Sequence, residues 1–539
     1  MTNGANSKTH DAIIIGTGVT GIYMLHKLQE MGMDAIAVDA AERPGGTWNK
    51  NRYPGCRFDS ESYSYGYSFS KEIFDEWKWS EHYAGQPETL RYLEFVIEKL
   101  GIRDHMQFNR VVTSATYDEA KNVWNVKFAD GETLSSHYLC TAVGLLSAPT
   151  LPRIDGMEDF QGESFHTYFW PEEEVKLADK KVAVIGTGAT GVQIISEICD
   201  KVGSLTVFQR RPNWCAPLNN SKVTDAQHEE YKAGREDWFE RMSHSPSGFP
   251  HMPVGQKVTE VPREEREAFW EKLYGESGFG IWVGNYYDIT IDEDSNAIFS
   301  EFIAKKTRER IDNPKIADIL IPKDHGFGTR RVPLETNYYE SYNRDNVHLV
   351  DASATPIECI TKKGVKTTEK EYEFDLIIYA TGFDAITGAF DRIEIVGRDG
   401  EKLVDKWIDS PVTYLGIQVP GFPNMFTLAG PQSASHGSNF PPAIEAVCGW
   451  TCGLIEHVRE NGYETVEATN EGHEIWEKDV RAAYGATLIP KAKSWFTGHN
   501  SNVDGHDKLR YLIYLRGAPA YRDTLVGVSN DGYRGFAMK

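Results

Sequence analysis

The chain has 539 residues, of which 40% are hydrophobic and 25% are charged, and its 79 acidic and 57 basic side chains give a formal charge of −22. This composition is typical of a globular protein with two or three domains, and the negative charge disfavours nucleic acids and anionic membranes as partners. The seven cysteines form no CxxC pair, and no stretch approaches ~18 apolar residues. We therefore expect a cytoplasmic protein without membrane insertion.

The first motif is a short apolar strand at residues 12–16 that runs into a glycine-rich turn, Gly16-Thr-Gly18-Val-Thr-Gly21. In such a turn the first glycine allows the tight bend, the second lets the backbone approach a pyrophosphate, and the third lets a helix pack closely on the strand. Asp39 ends the next apolar strand, 18 residues after Gly21, where its carboxylate can accept from ribose hydroxyls. The pattern predicts a dinucleotide site. The alternative is that Asp39 is only an acidic residue in a surface turn.

The same pattern recurs after an apolar strand at residues 181–186 as Gly186-Thr187-Gly188-Ala-Thr190-Gly191. Here the residue 19 positions past Gly191 is basic, Arg210, and it is followed by Arg211. A carboxylate would repel a 2′-phosphate, whereas a guanidinium binds it through charge-assisted hydrogen bonds. The second site is therefore predicted to prefer NADPH over NADH, unless Arg210 is only a solvated charge at the strand end.

The rest of the chain predicts domains that are discontinuous in sequence. Residues 217–321 are charged and aromatic, with helical runs at 229–242 and 262–274, and strand patterns return at 347–351, 375–380 and 425–429. We predict an α/β fold with two Rossmann-like dinucleotide-binding domains and a helical insertion. The predicted boundaries are 1–145 and 380–539 for the first domain, 146–216 and 331–379 for the second, and 217–330 for the insertion.

A third motif, Phe160-Gln-Gly162-Glu-Ser-Phe-His166-Thr-Tyr-Phe-Trp170-Pro171, resembles the fingerprint of class B flavin monooxygenases of the Baeyer–Villiger type. Two further segments are similar to patterns of this family: Gly45-Gly46-Thr47-Trp48 with the later Asp59, and residues 380–384. Considered singly, His166 is equally well a loop histidine and Trp170 a core aromatic. In related N-hydroxylating and flavin-containing monooxygenases another aromatic usually replaces the tryptophan, so Trp170 favours the ketone-oxidising branch.

The resemblance implies that NADPH reduces FAD, that O2 adds at the flavin C4a carbon, and that the peroxide inserts one oxygen beside a ketone carbonyl to give an ester or lactone. It places Arg331 at the cation that stabilises the peroxide anion, with Asp59 orienting it, and Arg330 at the 2′-phosphate. The alternative for both arginines is a solvated loop pair. Together, the two glycine motifs and the resemblance predict these cofactor-binding residues: Gly16, Gly18, Gly21, Asp39, Gly46, Thr47, Trp48, Asp59, Gly186, Thr187, Gly188, Thr190, Gly191, Arg210, Arg330 and Trp495, the last being alternatively a core aromatic.

The sequence departs from the family at Asn49 and Lys50, where members commonly carry two aromatic residues, so we expect different packing near the flavin. A flavoprotein disulfide reductase would need a cysteine pair after the first unit, where only Cys56 occurs, and a catalytically silent flavin-binding protein stays the other alternative. Cys448 and Cys452, at helical spacing, are expected on a core face, and no metal site is predicted. The segment 431–441 is predicted to close over the flavin. The ketone used and the oligomeric state are left open.

Overall fold

The computed structural model describes residues 8–433 and 437–539. Its largest sheet has eight strands and is parallel around the first strand of the chain, Thr9–Ile15, whose residues 12–15 are buried. A strand buried on both faces is apolar throughout, which is the pattern that predicted it. The strands in spatial order are Glu394–Val396, Val112–Asp118, Val123–Phe128, Thr133–Thr141, Thr9–Ile15, Ala35–Val38 and Met106–Gln107, with Met425–Thr427 also pairing with Thr133–Thr141.

The second sheet has five parallel strands. Their order is Val347–Asp351, Ser204–Gln209, Lys181–Ile185, Leu376–Tyr379 and Glu163–His166. In each sheet a helix follows the glycine turn: Val19–Glu30 follows the first turn, and Ala189–Ile198 follows the second. Both sheets therefore combine strands from distant parts of the sequence. The α/β class is confirmed, whereas the exact domain boundaries stay a prediction.

Helices dominate the segment between the two halves of the second sheet, and they enclose a separate core around Trp270 and Phe299. The predicted helical run at 229–242 is wrong as a single element, because the chain breaks at Gly234 into two helices. Glycine is a poor helix former, so a break at this residue is the physical reason. The helices are Asp225–Ala233, Arg235–His244, Arg263–Gly275, Gly280–Val283, Glu293–Arg310 and Pro314–Leu320.

Shorter elements complete the structure around these units. Three antiparallel strands follow the strand Val347–Asp351, and they are Ile357–Ile360, Gly364–Thr367 and Glu371–Glu373. Two small pairs join distant residues: Ala216–Pro217 is parallel to Leu334–Glu335, and Val466–Ala468 is antiparallel to Phe536–Met538. The remaining helices are Thr47–Lys50, Ser62–Tyr65, Lys71–Glu76, Gln86–Leu100, Tyr338–Ser341, Leu403–Lys406, Phe440–Glu460, Asn470–Gly485 and Ala518–Asn530. Within the described ranges, no helix is both long and apolar enough to cross a membrane.

Cys448 and Cys452 lie on the buried face of the helix Phe440–Glu460, as the helical spacing predicted. Glu445 on the same helix accepts from the Ser68 backbone N–H at 2.6 Å and from the Ser68 hydroxyl. Arg235 donates to the Ser68 carbonyl oxygen, so this contact joins three segments. Burial raises the pKa of Glu445 to about 7, although the Ser68 and Phe69 N–H groups and Arg235 oppose this shift.

We expect the stability of the Glu445→Gln variant, measured relative to the wild type, to increase as the pH rises from 5 to 8. Between pH 5 and 7 folded Glu445 holds a proton that the unfolded chain has released, so the wild type loses stability as the pH rises towards 7. One pKa unit is worth about 1.4 kcal/mol, so the loss is on the order of 2–3 kcal/mol. Melting temperatures across this range measure it, with Glu460→Gln on the exposed end of the helix as control. A difference between Glu445→Gln and wild type that does not change with pH would contradict the prediction.

Candidate active site

The first glycine turn is built so that only glycine fits at two of its positions. Gly16 has φ +110°, and a Cβ there would overlap the Ala142 carbonyl oxygen. A Cβ on Gly21 would overlap the carbonyl oxygen of Gly16, so the helix Val19–Glu30 lies directly on its strand. The helix begins at Gly18 without a side-chain cap, which leaves its first N–H groups for an anion. These features fit a dinucleotide pyrophosphate.

A second glycine pair closes on this turn. Gly46 has φ +53°, and a Cβ on it would lie 2.9 Å from the Gly18 Cα atom. The short helix Thr47–Lys50 starts here, and Trp48 is buried, with its indole N–H donating to the Tyr65 hydroxyl at 2.9 Å. The predicted residues Gly46, Thr47 and Trp48 therefore lie beside the first glycine turn.

Asp39 is bound to the first glycine turn by Thr17, which sequence reasoning did not select. The Asp39 Oδ2 atom accepts from the Thr17 backbone N–H and hydroxyl, both at 2.8 Å, and its Oδ1 atom accepts from the Ala41 N–H at 2.8 Å. Each carboxylate oxygen can accept more than one hydrogen bond, so contacts with ribose hydroxyls stay compatible with this arrangement. The threonine at the second position of both glycine turns was the signal for this role.

The second glycine turn repeats the geometry of the first. Gly186 again has φ +110°, a Cβ on it would meet the Ala380 carbonyl oxygen, and a Cβ on Gly191 would overlap the Gly186 carbonyl oxygen. Gly188 differs, because no atom lies within 4 Å of a Cβ built on it. Since the protein itself leaves room for a side chain there, a glycine at this position fits the close approach of a second pyrophosphate.

The threonines of the second turn connect it to neighbouring segments. The Thr187 hydroxyl donates to the Arg211 carbonyl oxygen at 3.2 Å, and thereby fixes the end of the strand that carries Arg210. Thr190 lies beside the Tyr53 hydroxyl, which donates to Gln193 Oε1 at 2.7 Å. The family-like segment after Trp48 therefore packs on the helix of the second turn. Thr187 and Thr190 lie where the prediction placed them, and their contact with a cofactor stays a prediction.

Arg331 and Asp59 form an ion pair across 272 residues of sequence, with Arg331 Nη2 donating to Asp59 Oδ2 at 2.9 Å. The Leu334 N–H donates to the same oxygen at 3.2 Å. The Asp59 side chain is 1% exposed and that of Arg331 is 31% exposed. In the described chain, the buried atoms Asp59 Oδ1 and Arg331 Nη1 have no hydrogen-bond partner. A preorganised guanidinium with an unused donor is suited to bind an anion.

Arg330 contacts a different carboxylate, because its Nη2 donates to Asp324 Oδ2 at 3.1 Å. Arg210 and Arg211 are exposed at the end of the strand Ser204–Gln209. The two arginine segments run alongside each other, since the Asn213 side chain donates to the Arg331 carbonyl oxygen at 3.0 Å. The structure therefore brings the predicted Arg210 and Arg330 segments together, and it adds Arg211, for which the sequence doublet was the signal.

The fingerprint residues connect the second sheet to the turn after its strand Leu376–Tyr379. His166 is buried, its Nε2 lies 3.2 Å from the Gly382 carbonyl oxygen, and its Nδ1 accepts from the Tyr168 N–H at 3.1 Å. Burial lowers the pKa of His166 to about 4, so the ring is neutral at pH 7 and donates to Gly382. Trp170 lies in the core, 5.8 Å from the Phe165 ring. A Cβ on Gly162 would lie 2.6 Å from the Phe160 ring, so these two residues pack together.

Asn49 and Lys50 replace the expected aromatic pair with a polar network. Asn49 is fully buried and accepts from Arg43 Nε at 2.7 Å, while Lys50 Nζ donates to Glu42 Oε2 at 3.2 Å. Arg43 also donates to Glu172, directly after the fingerprint, at 2.9 Å. Asn49 and Lys50 therefore attach this short helix to Arg43 and Glu42, and a difference in packing from the family stays a prediction.

Trp495 is half-buried in a short turn and packs edge-on against Phe496, with ring centroids 4.4 Å apart. Among the described residues, no hydrogen bond or cation–π contact joins it to Arg331, so its place beside the cofactors stays a prediction. The predicted lid at 431–441 includes residues 434–436, which lie outside the described residues. Cys56 is buried, and burial raises the pKa of its thiol to about 12, which is unsuited to thiolate chemistry.

A family model described as pyridine nucleotide-disulphide oxidoreductase matches residues 13–243, which include both glycine turns. The 2-oxo-Δ3-4,5,5-trimethylcyclopentenylacetyl-CoA monooxygenase of Pseudomonas putida is 43% identical over the whole of both chains. Acetone monooxygenase (methyl acetate-forming) of Gordonia sp. strain TY-5 is 40% identical over 99% of this chain and 100% of the relative. A crystal structure of OTEMO with FAD and NADP superposes with a TM-score of 0.95 at 42% identity, covering 99% of this chain and 100% of the other.

Two dinucleotide folds with an arginine–carboxylate pair and full-length similarity to monooxygenases define the chain as a flavin-dependent monooxygenase. The chain belongs to the Baeyer–Villiger monooxygenase family. Its cofactors are FAD and NADPH, as the two glycine turns and the fingerprint predicted.

Proposed function

We propose that this enzyme oxidises a small ketone to an ester or lactone, with Arg331 and Asp59 as its central charged pair. The proposal rests on the geometry of that pair. A buried carboxylate fixes the guanidinium at 2.9 Å, and the buried Nη1 nitrogen of Arg331 has no partner among the described residues. Asp59 follows Gly46, which packs on Gly18 of the first glycine turn, and the Arg331 carbonyl oxygen accepts from Asn213, just after Arg210. The pair thus joins the two nucleotide-binding units.

In this proposal the first glycine turn and Asp39 hold FAD, and the second turn with Arg210 and Arg330 holds NADPH. FAD and NADPH supply the electrons and the oxygen-activating ring when bound. Arg331 stabilises negative charge that develops on oxygen, because its guanidinium stays protonated and its position is set in advance by Asp59. Asp59 also limits the excess positive charge of a partly buried arginine.

A panel of cyclic, linear and aryl ketones, each with NADPH and O2, tests the substrate class. Ketone-stimulated NADPH oxidation together with an ester or lactone identified by mass spectrometry supports the proposal. The same assay with an aromatic amine and with a tertiary amine tests for N-oxygenation. N-oxide formation with no ester from any ketone would overturn the ketone assignment and leave the monooxygenase class intact.

We expect kcat/KM for NADPH to exceed that for NADH by about tenfold or more. A charge-assisted hydrogen bond is worth ~1.5–3 kcal/mol, and ~1.4 kcal/mol corresponds to one decade. Arg210→Ala combined with Arg330→Ala should remove most of this preference while leaving the NADH value nearly unchanged. Equal use of both cofactors by the wild type would show that neither arginine contacts a 2′-phosphate.

A further inference from the structure

Arg330 and Arg331 are adjacent in sequence, yet different carboxylates hold them. Arg331 donates to Asp59 at 2.9 Å, whereas Arg330 donates to Asp324 at 3.1 Å. Only 13% of the Arg330 side chain is exposed, and its Nε atom is buried without a partner in the part of the chain that the structure describes. A guanidinium with so little freedom and one fixed partner presents its other donors in one orientation. Asp324 therefore determines where those donors lie.

Asp324 is in turn held by its neighbour in sequence. Its Oδ1 atom lies 2.7 Å from His325 Nδ1, while its Oδ2 atom accepts from Arg330. The His325 side chain is 1% exposed, and the Trp214 indole N–H donates to the His325 carbonyl oxygen at 2.9 Å. Trp214 belongs to the segment that follows Arg210 and Arg211. The Asp324–His325 pair is thus attached to the part of the chain that carries the other two arginines.

The protonation state of His325 supports this arrangement. Burial, followed by the positive charge of Arg330, lowers the pKa of His325 to about 4. The imidazole is therefore neutral at pH 7, and since an ionised carboxylate only accepts, the single ring hydrogen is on Nδ1 and is donated to Asp324. Burial also lowers the pKa of Arg330, and the nearby charge of Arg211 acts in the same direction while Asp324 opposes it. Asp324 thus stabilises cations that repel each other.

We propose that Asp324, held by His325, is a positioning residue that orients Arg330 for the 2′-phosphate and thereby sets the preference for NADPH. This inference rests on the proposed role of Arg330 in binding that phosphate. Asp324 acts only through Arg330, because its own negative charge repels a phosphate. Truncating the carboxylate therefore weakens binding of the phosphorylated cofactor, although it removes a repulsive charge.

The test compares Asp324→Ala with Asp324→Asn, whose amide oxygen still accepts from Arg330. Asp324→Ala should raise KM for NADPH about tenfold, which is the equivalent of one charge-assisted hydrogen bond. The kcat value and the KM for NADH should not change. Asp324→Asn should restore most of the affinity. Calorimetric titration with adenosine 2′,5′-bisphosphate and with 5′-AMP gives a readout independent of turnover. Only the bisphosphate should bind more weakly to Asp324→Ala, again about tenfold.

A double-mutant cycle with Arg330→Ala makes the mechanism falsifiable, because Asp324→Ala should add nothing once Arg330 is absent. Asp318→Ala, which removes an exposed acid paired with Lys323 at 2.7 Å, is the matched control and should change nothing. Unchanged or tighter bisphosphate binding by Asp324→Ala, no rescue by Asn, or additive effects would overturn the inference. If Arg330→Ala itself leaves bisphosphate binding unchanged, the proposed 2′-phosphate role fails instead. Asp324→Ser replaces the Ala variant if that one does not fold.

Discussion

Arg331→Ala is expected to lower ester formation by ~10²–10³ while FAD stays bound, because removing a preorganised donor from a developing negative charge commonly has this effect. No glycine turn is altered by the change. NADPH oxidation should continue in part and release hydrogen peroxide, since the reduction of the flavin does not depend on this cation. Ester is measured by chromatography and hydrogen peroxide by a coupled assay. The ratio of ester to hydrogen peroxide should therefore fall steeply.

Two further variants separate charge from geometry at this position. Arg331→Lys should rescue poorly, because an ammonium group cannot reproduce the 2.9 Å contact with Asp59 and the second donor at once. Asp59→Ala should also reduce ester formation, since it leaves the guanidinium unoriented. Arg344→Ala, an exposed arginine in the same stretch of chain, is the control. Ester formation by Arg331→Ala at the wild-type rate would transfer the role to another cation, with Arg330 as the next candidate.

Much of the fold was predictable because its signals are local. An apolar strand, a glycine turn and a helix are adjacent in sequence, so Gly16, Gly21, Gly186 and Gly191 could be assigned from spacing alone. The pairing of Arg331 with Asp59 could not be derived in this way, since 272 residues separate them. It was predicted only through the family resemblance, and the structure gives it a distance.

The residues that were missed act through their neighbours. Thr17 holds Asp39 at the end of the strand Ala35–Val38, and Asp324 with His325 holds Arg330. The repeated threonine of the glycine turns was a signal for Thr17, but Asp324 and His325 have no pattern of their own, because their role depends on where the Arg330 side chain lies after folding. The break at Gly234 was missed for a related reason: an apolar period of helical spacing continues across it although the backbone does not.

Gly21→Ala is expected to abolish FAD binding, with about a tenth or less of the wild-type flavin per chain, because any Cβ overlaps the Gly16 carbonyl oxygen and pushes the helix from its strand. Flavin absorbance of the purified protein measures this. Gly191→Ala has the same clash in the second turn and should keep FAD but lose NADPH affinity. Gly449→Ala, in the helix Phe440–Glu460 with no atom within 4 Å of the new Cβ, should keep both and unfold at a slightly higher temperature. Wild-type flavin content in Gly21→Ala, or flavin loss in Gly191→Ala, would show that the two turns do not divide the cofactors between them.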